Sequence, residues 1–173
     1  GHYAKSHVCT ELKPNSRRTQ QGNGYECLPG FTKDGKQLCV ACGVGKAKAA
    51  AGDGTCADCN VDSEATASRT ACMACNRSVE YAKQRVCTAL PPNAQTTADG
   101  SQYMCDAGFE RDGVGFCNRC PVGKAKGAAG NHKCEACQVN QTQSADGSSC
   151  EACATGHYAK SHVCTELKPN SRR

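Results

Sequence analysis

Apolar and polar residues alternate along this chain for no more than three or four positions at a time. Alternation over so few residues predicts short strands. The tetrapeptides KDGK and RDGV (33–36 and 111–114) place Asp-Gly where a tight hairpin turn favours it, and PNS, PPNA, GNG and ADGS have the composition of turns. The segments KAKAAAGDG and KAKGAAGNH (46–54 and 124–132) can form a helical turn, which glycine then ends. The pattern predicts short β-hairpins and turns with little helix.

The cysteines repeat along the chain at a constant offset in residue number. Cys9 moves onto Cys87 and Cys75 moves onto Cys153, and the cysteines between them are matched at the same offset of 78. The step from Cys87 to Cys164 is shorter by one. The segments YECLPGFTKDGKQLCVAC and YMCDAGFERDGVGFCNRC lie over each other in the same alignment. Because many residues between the cysteines differ, we interpret the two segments as old, diverged copies.

One segment of eighteen residues, GHYAKSHVCTELKPNSRR, occurs twice without a change. The two occurrences start at residues 1 and 156, an offset of 155, which is 78 plus 77 or two diverged copies. We therefore interpret the chain as one period of a longer array plus an overlap into the next period. The expected division is 1–8 as the end of a preceding repeat, 9–86 as the first copy, 87–163 as the second copy, and 164–173 as the start of the next copy.

The composition changes the kind of fold that these hairpins are expected to build. Seventeen of the 173 residues are cysteine, tryptophan is absent, and only three residues are phenylalanine. Such a cysteine content is typical of a disulfide scaffold. A chain with so few large apolar side chains must take most of its order from cross-links. The predicted fold class is small and disulfide-rich, with tandem cross-linked modules of short β-hairpins strung along an elongated rod.

A ladder of short loops follows when each cysteine pairs with the next one across the longer gap. The expected pairs are Cys27–Cys39, Cys42–Cys56, Cys59–Cys72, Cys75–Cys87, Cys105–Cys117, Cys120–Cys134, Cys137–Cys150 and Cys153–Cys164. Cys9 is left over, and we expect it to pair with a cysteine of the preceding repeat. Each closed loop of this length contributes about 3 kcal/mol in the chain-entropy model. An interleaved scheme, in which the two cysteines of one CxxC reach to opposite neighbours, remains open.

CxxC pairs also occur in zinc ribbons, so a zinc-binding intracellular protein is a competing interpretation. Isolated cysteines such as Cys27 and Cys105 lie far from a CxxC partner on one side. The glycine that commonly follows a zinc-binding CxxC is not placed consistently either. These observations favour disulfides, and we expect neither a metal site nor a cofactor.

Parts of the chain resemble known extracellular modules. YECLPGFTKDGKQLC and YMCDAGFERDGVGFC resemble the C-terminal half of an EGF-like domain, and CPVGKAKGAAGNHKCEAC resembles the ephrin-receptor-type cysteine-rich repeat. TNF-receptor-like modules and CxxC-rich surface proteins of some protists are similar. The resemblance implies an extracellular cysteine-rich module. Two departures are that the EGF-like part lacks the first cysteines of a full domain, and that Gly43 stands where the second copy has Pro121. No calcium-binding motif is matched, so no calcium site is implied.

Candidate chemistry outside the cysteines is sparse. The sequons NRS at Asn76 and NQT at Asn140 are candidates for N-glycosylation. We interpret the histidines as exposed polar residues and assign no catalytic residue, because no nucleophile, phosphate-binding or metalloprotease motif is present; they are His2, His7, His132, His157 and His162. The net charge of +5 is mild and does not favour nucleic acid as a partner. The lysines of the two KAK segments, Lys46, Lys48, Lys124 and Lys126, are interpreted as solvated surface charges.

The unchanged long period favours one class of function over another. A fibre benefits from one unit repeated, because identical units make identical contacts along the axis. A receptor diversifies its modules to make different contacts. We therefore expect a structural repeat unit of a long secreted protein, which forms an extracellular fibre, shaft or sheath at the cell surface. Expected partners are neighbouring copies of the repeat, assembling into a filament, and glycans. The alternative is an adhesive or ligand-binding ectodomain of a receptor or protist surface antigen. No membrane-spanning segment is expected in this sequence.

Aromatic residues recur at fixed places in the copies. Tyr3, Tyr81 and Tyr158 are one such series, and Tyr25 matches Tyr103. On the fibre hypothesis, exposed rings would make lateral contacts. We favour the simpler expectation that each ring covers its own disulfide.

Overall fold

The structure is a computed structural model, and it describes residues 1–168. These residues form eleven two-stranded antiparallel hairpins, and none of the described residues is helical. The prediction of short β-hairpins cross-linked in tandem, with little helix, is confirmed.

Each hairpin joins two strands that are consecutive in the chain. In the first part of the chain they are β1 (His2–Lys5) with β2 (Val8–Glu11), β3 (Ser16–Arg18) with β4 (Tyr25–Cys27), β5 (Phe31–Lys33) with β6 (Cys39–Ala41), β7 (Lys46–Ala47) with β8 (Ala57–Asp58), and β9 (Ser63–Ala65) with β10 (Cys72–Ala74). They continue with β11 (Glu80–Lys83) and β12 (Val86–Ala89), β13 (Ala94–Thr96) and β14 (Tyr103–Cys105), β15 (Phe109–Arg111) and β16 (Cys117–Arg119), β17 (Lys124–Ala125) and β18 (Glu135–Ala136), β19 (Gln141–Gln143) and β20 (Cys150–Ala152), and β21 (His157–Lys160) and β22 (Val163–Glu166).

The strands repeat with the same period as the cysteines. β1 begins at His2 and β11 at Glu80, an offset equal to that from Cys9 to Cys87, and β2 to β10 are matched by β12 to β20 at the same offset. The step from β11 to β21, which begins at His157, is shorter by one, as it is for the cysteines. The diverged copies therefore build the same hairpins from different residues, as many sequences can for one backbone.

The described chain separates into two compact units. One unit comprises Gly1–Ala89 together with Ala98–Gln102, and the other comprises Leu90–Thr97 together with the chain from Tyr103 onward. Each unit contains its own disulfides and its own set of hairpins.

Cysteine and small residues take the place of a conventional core. Three side chains, those of Cys27, Cys42 and Cys105, are almost completely buried. Among aromatic residues, Tyr3 and Tyr103 are buried, at 7% and 6% exposure. Hairpins of two to four residues per strand are marginal in water by themselves, so the cross-links must hold them.

Two kinds of turn close the hairpins. β11 and β12 are joined by Gln84 and Arg85, both with positive φ (52° and 61°), the backbone of a two-residue type I′ turn. The equivalent turns of β1–β2 and β21–β22 have the same form. The turn between β5 and β6 is longer than the Asp-Gly pair predicts: Asp34 Oδ1 accepts hydrogen bonds from the amides of residues 36 and 38, and the positive φ lies at Gln37. Asp-Gly thus marks the turn, but Gly35 does not supply the left-handed residue.

The two KAK segments are extended, so the helical turn considered from their composition is wrong. Lys46–Ala47 and Lys124–Ala125 are strands. The backbone of Lys48 is fixed by other segments, because its amide donates to Arg69 O and its carbonyl accepts from Gly30 N at 2.8 Å. Both groups are therefore used outside the local chain, and no hydrogen bond along a helix is left for them to make.

Candidate functional site

The structure brings together the cysteines that the ladder pairs. Eight disulfides are formed: Cys27–Cys39, Cys42–Cys56, Cys59–Cys72, Cys75–Cys87, Cys105–Cys117, Cys120–Cys134, Cys137–Cys150 and Cys153–Cys164. Their sequence separations lie between 11 and 14, so every link closes a short loop. Each CxxC lies where one loop ends and the next begins. Cys9 is the one free cysteine of the described residues, and it is exposed.

A glycine in each copy allows three backbone segments to meet. Gly108 has φ +79°, its amide donates to Lys126 O, and its carbonyl accepts from Cys120 N, both at 2.8 Å. A Cβ atom at this position would overlap the backbone carbonyl oxygen of Asp146. Gly30 occupies the equivalent place in the first copy, against the carbonyl of Ser68. Glycine is required here for space as well as for its left-handed backbone.

A buried lysine lies beside each of these glycines, contrary to the interpretation of all four KAK lysines as solvated. Lys126 is only 2% exposed, and its Nζ donates to the carbonyls of Phe109 and Gly130 at 2.6 Å and of Cys105 at 3.1 Å. Lys48 is 9% exposed and donates to Phe31 O at 2.7 Å and to Gly52 O. Backbone carbonyls therefore replace water around both ammonium groups. We call this arrangement the lysine clamp.

The electrostatics of the clamp follow from this burial. Burial lowers the pKa of the Lys126 ammonium below its ordinary value, while the carboxylates of Asp106 and Glu110 oppose part of the shift. The pKa of Lys48 is shifted in the same direction, again with burial as the main cause. Sequence patterning missed the clamp because lysine is normally a surface residue. The available signal was the retention of KAK in both diverged copies.

Three of the five tyrosines contact neighbours inside their own unit. The ring centroids of Tyr3 and Tyr25 are 5.5 Å apart, and Lys33 Nζ lies 4.7 Å from the Tyr25 ring. In the second copy the guanidinium of Arg111 lies 3.9 Å from the Tyr103 ring. The rings of Tyr25 and Tyr103 carry cation–π contacts, and the ring of Tyr3 lies against that of Tyr25, so these three rings are already engaged within their own units.

The two candidate glycosylation sites differ in how the fold uses them. Asn76 is exposed, and its Oδ1 accepts only a local hydrogen bond from Ser78 N at 3.2 Å. Asn140 is half-buried with φ 64°, and its Oδ1 accepts from Ala159 N, nineteen residues away, at 3.2 Å. The hydroxyl of Thr142 in the same sequon donates to His162 O at 2.8 Å. The fold thus uses both ends of the second sequon.

The histidines are dispersed. His2, His7, His132 and His162 are exposed and His157 is half-buried. Within residues 1–168 there is no group of three or more His, Cys, Asp or Glu side chains placed to hold a metal ion. The same residues include no helix long and apolar enough to cross a membrane.

Exposed apolar residues occur at equivalent positions of the copies, and sequence reasoning did not identify them. Val44 and Val122 are 69% and 71% exposed, and Val61 and Val139 are 53% and 99% exposed. The remaining members are the exposed pair Leu38 and Phe116 and the exposed triplet Val8, Val86 and Val163. Members of each set are related by the same offset as the cysteines, including the shorter last step. We call these nine residues the apolar series.

Other exposed apolar residues do not recur. Val114 is 80% exposed, but its equivalent in the first copy is Lys36, and Val40 is matched by Asn118. Isolated apolar residues on a surface need no explanation. Valine retained at three exposed positions, while many neighbours diverged, does need an explanation. The apolar series is therefore the candidate interaction site of each copy.

Comparison with known proteins adds no relative: no family model, no curated protein and no solved structure matches this chain.

Proposed function

We propose that this chain is a structural repeat unit of a long secreted cysteine-rich protein that assembles into an extracellular fibre, shaft or sheath. The observation that carries the proposal is the apolar series. Exposed valine and phenylalanine side chains cost free energy in water and become favourable when a partner covers them, by about 25 cal/mol per Å² of apolar area buried. The same positions recurring in each copy offer the same contacts at regular intervals along an array.

The disulfide ladder supports an extracellular location for this assembly. Eight disulfides within residues 1–168 indicate that the chain matures in an oxidising compartment, because reducing compartments keep such thiols free. The extracellular surface and the secretory route both provide it. An elongated arrangement of the repeats, as expected from the sequence, is part of the proposal.

The lysine clamps and the glycines beside them support a mechanical role. They hold successive disulfide loops together by equivalent contacts in both copies, although many surface residues differ between the copies. A unit held by covalent loops and buried charge-assisted hydrogen bonds resists local opening. We assign no catalytic step to it.

An adhesive or ligand-binding ectodomain is less well supported. The first copy has a hollow of about 230 Å³ whose lining includes Val44, Ala65 and Arg85. In the second copy Gln143 takes the place of Ala65, and its side chain donates to Cys120 O and Lys124 O. The hollow is smaller than the ~300 Å³ at which ligand pockets begin, and the residues that line it differ at the equivalent place in the second copy. A surface made of the shared apolar series fits an assembling repeat better.

The experiment is a comparison of two double variants of the oxidised chain. Val122→Lys with Val139→Asn removes two members of the apolar series. The matched control, Val114→Lys with Val40→Asn, makes the same exchanges at exposed valines that do not recur. Sedimentation over a range of concentrations should show self-association of the wild type and the control, and its loss in the series variant. Absence of association in the wild type, or equal association in both variants, contradicts the proposal.

A further inference from the structure

The structure contains one ten-residue hairpin twice, in two different surroundings. HYAKSHVCTE occurs at 2–11 as β1–β2 and at 157–166 as β21–β22, with the same pairing of Ala with Cys across the strands. Because the sequence is identical, any difference in burial between the two hairpins comes from their neighbours.

The two hairpins are covered on opposite faces. In β1–β2 Tyr3 is buried at 7% exposure beside Tyr25, whereas Cys9 is exposed and free. In β21–β22 the relation is reversed, because Tyr158 is 37% exposed while Cys164 is half-buried in a disulfide with Cys153. Ala4 is likewise exposed, whereas its equivalent Ala159 is half-buried.

The diverged hairpin β11–β12 shows what full coverage looks like. Its Ala82 is 2% exposed, its Tyr81 is half-buried, and Cys87 is bonded to Cys75. The amide of Cys87 also donates to the Glu64 carboxylate at 2.9 Å. A hairpin of this type is therefore covered on both faces when a neighbour is available for each.

Three contacts cover the cysteine face of β21–β22. They are the disulfide to Cys153, the hydrogen bond from Thr142 Oγ1 to His162 O, and the packing of the His162 ring directly against Gly123, which leaves no room for a Cβ atom on that glycine. In the first copy the turn of β11–β12 packs in the same way, with the Arg85 side chain directly against Gly45. In β1–β2 the equivalents of His162 and Cys164 are His7 and Cys9. We call His7, Cys9 and the exposed Ala4 the free face.

We propose that the free face of β1–β2 binds the β19–β20 region of another repeat of this sequence, with its Thr142 hydroxyl, its Gly123 turn and its Cys153, and that Cys9 then forms a disulfide with that Cys153. This deepens the proposed function, on which it rests, by naming the joint through which successive periods connect. We infer this partner because β21–β22, a hairpin of identical sequence, already binds the β19–β20 region through these contacts.

The covalent step is an oxidation of two thiols. In a repeat whose Cys153 is not bonded to Cys164, as in the Cys164→Ser chain used below, Cys9 and Cys153 each lose one proton and one electron as the S–S bond forms. Glutathione disulfide accepts both electrons and both protons and becomes two molecules of glutathione. The noncovalent face selects the partner, and the disulfide then holds it.

The test uses the full chain, with substitutions that release β21–β22 from the site it occupies beside β19–β20. Cys164→Ser frees the Cys153 thiol, and Ala159→Lys in the same chain weakens the resident hairpin. Incubated in a glutathione redox buffer and mapped by mass spectrometry, this double variant should link Cys9 to Cys153 in preference to all other cysteines. The remaining seven disulfides, mapped in the same digest, report whether the rest of the chain has folded.

Two further substitutions separate recognition of the face from the mere presence of two thiols. Ala4→Lys should lower the yield of the Cys9–Cys153 link by about tenfold, as a loss of ~1.4 kcal/mol of contact would. Glu11→Lys should leave the yield of this link unchanged. The equivalent residues Ala89 and Glu166 remain exposed in β11–β12 and β21–β22, although the cysteine of each hairpin is bonded. Random pairing of Cys9, or equal yields from the two variants, overturns the inference.

The outcomes distinguish this inference from the proposed function. A selective Cys9–Cys153 link with no effect of the apolar series on association would leave the joint standing and refute the lateral assembly. The reverse result would refute the joint alone.

Discussion

Replacing Lys126 by methionine tests the lysine clamp. Methionine keeps the length of the side chain but removes all three hydrogen bonds from Nζ to the carbonyls of Cys105, Phe109 and Gly130. The carbonyl of Cys105 still accepts from Gly130 N, so two carbonyls bear most of the loss. At the lower end of the range for charged hydrogen bonds, about 1.5 kcal/mol each, the second unit should lose ~3 kcal/mol.

Amide hydrogen exchange measures this loss where it occurs. A loss of ~3 kcal/mol corresponds to about a hundredfold faster exchange. The affected amides should be those of Gly108, Cys120 and Gly130, which bond across the three segments that the clamp joins. The matched control is Lys124→Met in the neighbouring strand, where the side chain is exposed, and an exposed substitution should change stability by no more than ~0.5 kcal/mol. Equal protection in the two variants would refute the assigned role of the clamp.

Three further predictions concern single positions. Gly108→Ala should greatly reduce the yield of the native disulfide set in oxidative refolding, since a Cβ overlaps the Asp146 carbonyl at φ +79°, while Gly113→Ala, with open space around it, should refold normally; equal yields would contradict this. Hydrogen bonds from Ser144 and Ser148 lower the pKa of Asp146 to about 2, so their contribution to stability should be present above pH ~3.8 and lost as the pH falls through ~2. Protection of the amides in loop 144–149, measured relative to their intrinsic exchange rates, should then fall in acid, and protection in the equivalent loop of the first copy, where Ser68 replaces the aspartate, should not; parallel behaviour of the two loops would count against it. In a eukaryotic secretory host, glycopeptide mapping should find more glycan on Asn76 than on Asn140, whose amide oxygen and sequon hydroxyl the fold uses; higher occupancy at Asn140 would reverse this conclusion.

The cysteine spacing carries most of what could be predicted of the fold. Sequence separations of 11 to 14 between paired cysteines leave room for a short hairpin and for nothing larger, so the ladder and the hairpins were predicted together. The period of the sequence reappears in the strands because the loops are closed at the same positions in both copies.

Features that depend on distant backbone groups could not be predicted in this way. The burial of Lys126 arises because carbonyls of residues 105, 109 and 130 converge on one point, and no local pattern records that convergence. The extended KAK segments have the same cause, since their amides and carbonyls bond to distant segments. The apolar series was missed because a single exposed valine carries no signal, and only burial compared between copies distinguishes Val122 from Val114.

Electron microscopy of native material that carries this sequence tests the central claim most directly. The account predicts filaments with a regular axial repeat, whose reduced chains contain many of the long periods and whose non-reduced peptide map contains the Cys9 link between periods. Discrete particles that do not polymerise, with Cys9 recovered as a free thiol, would contradict it.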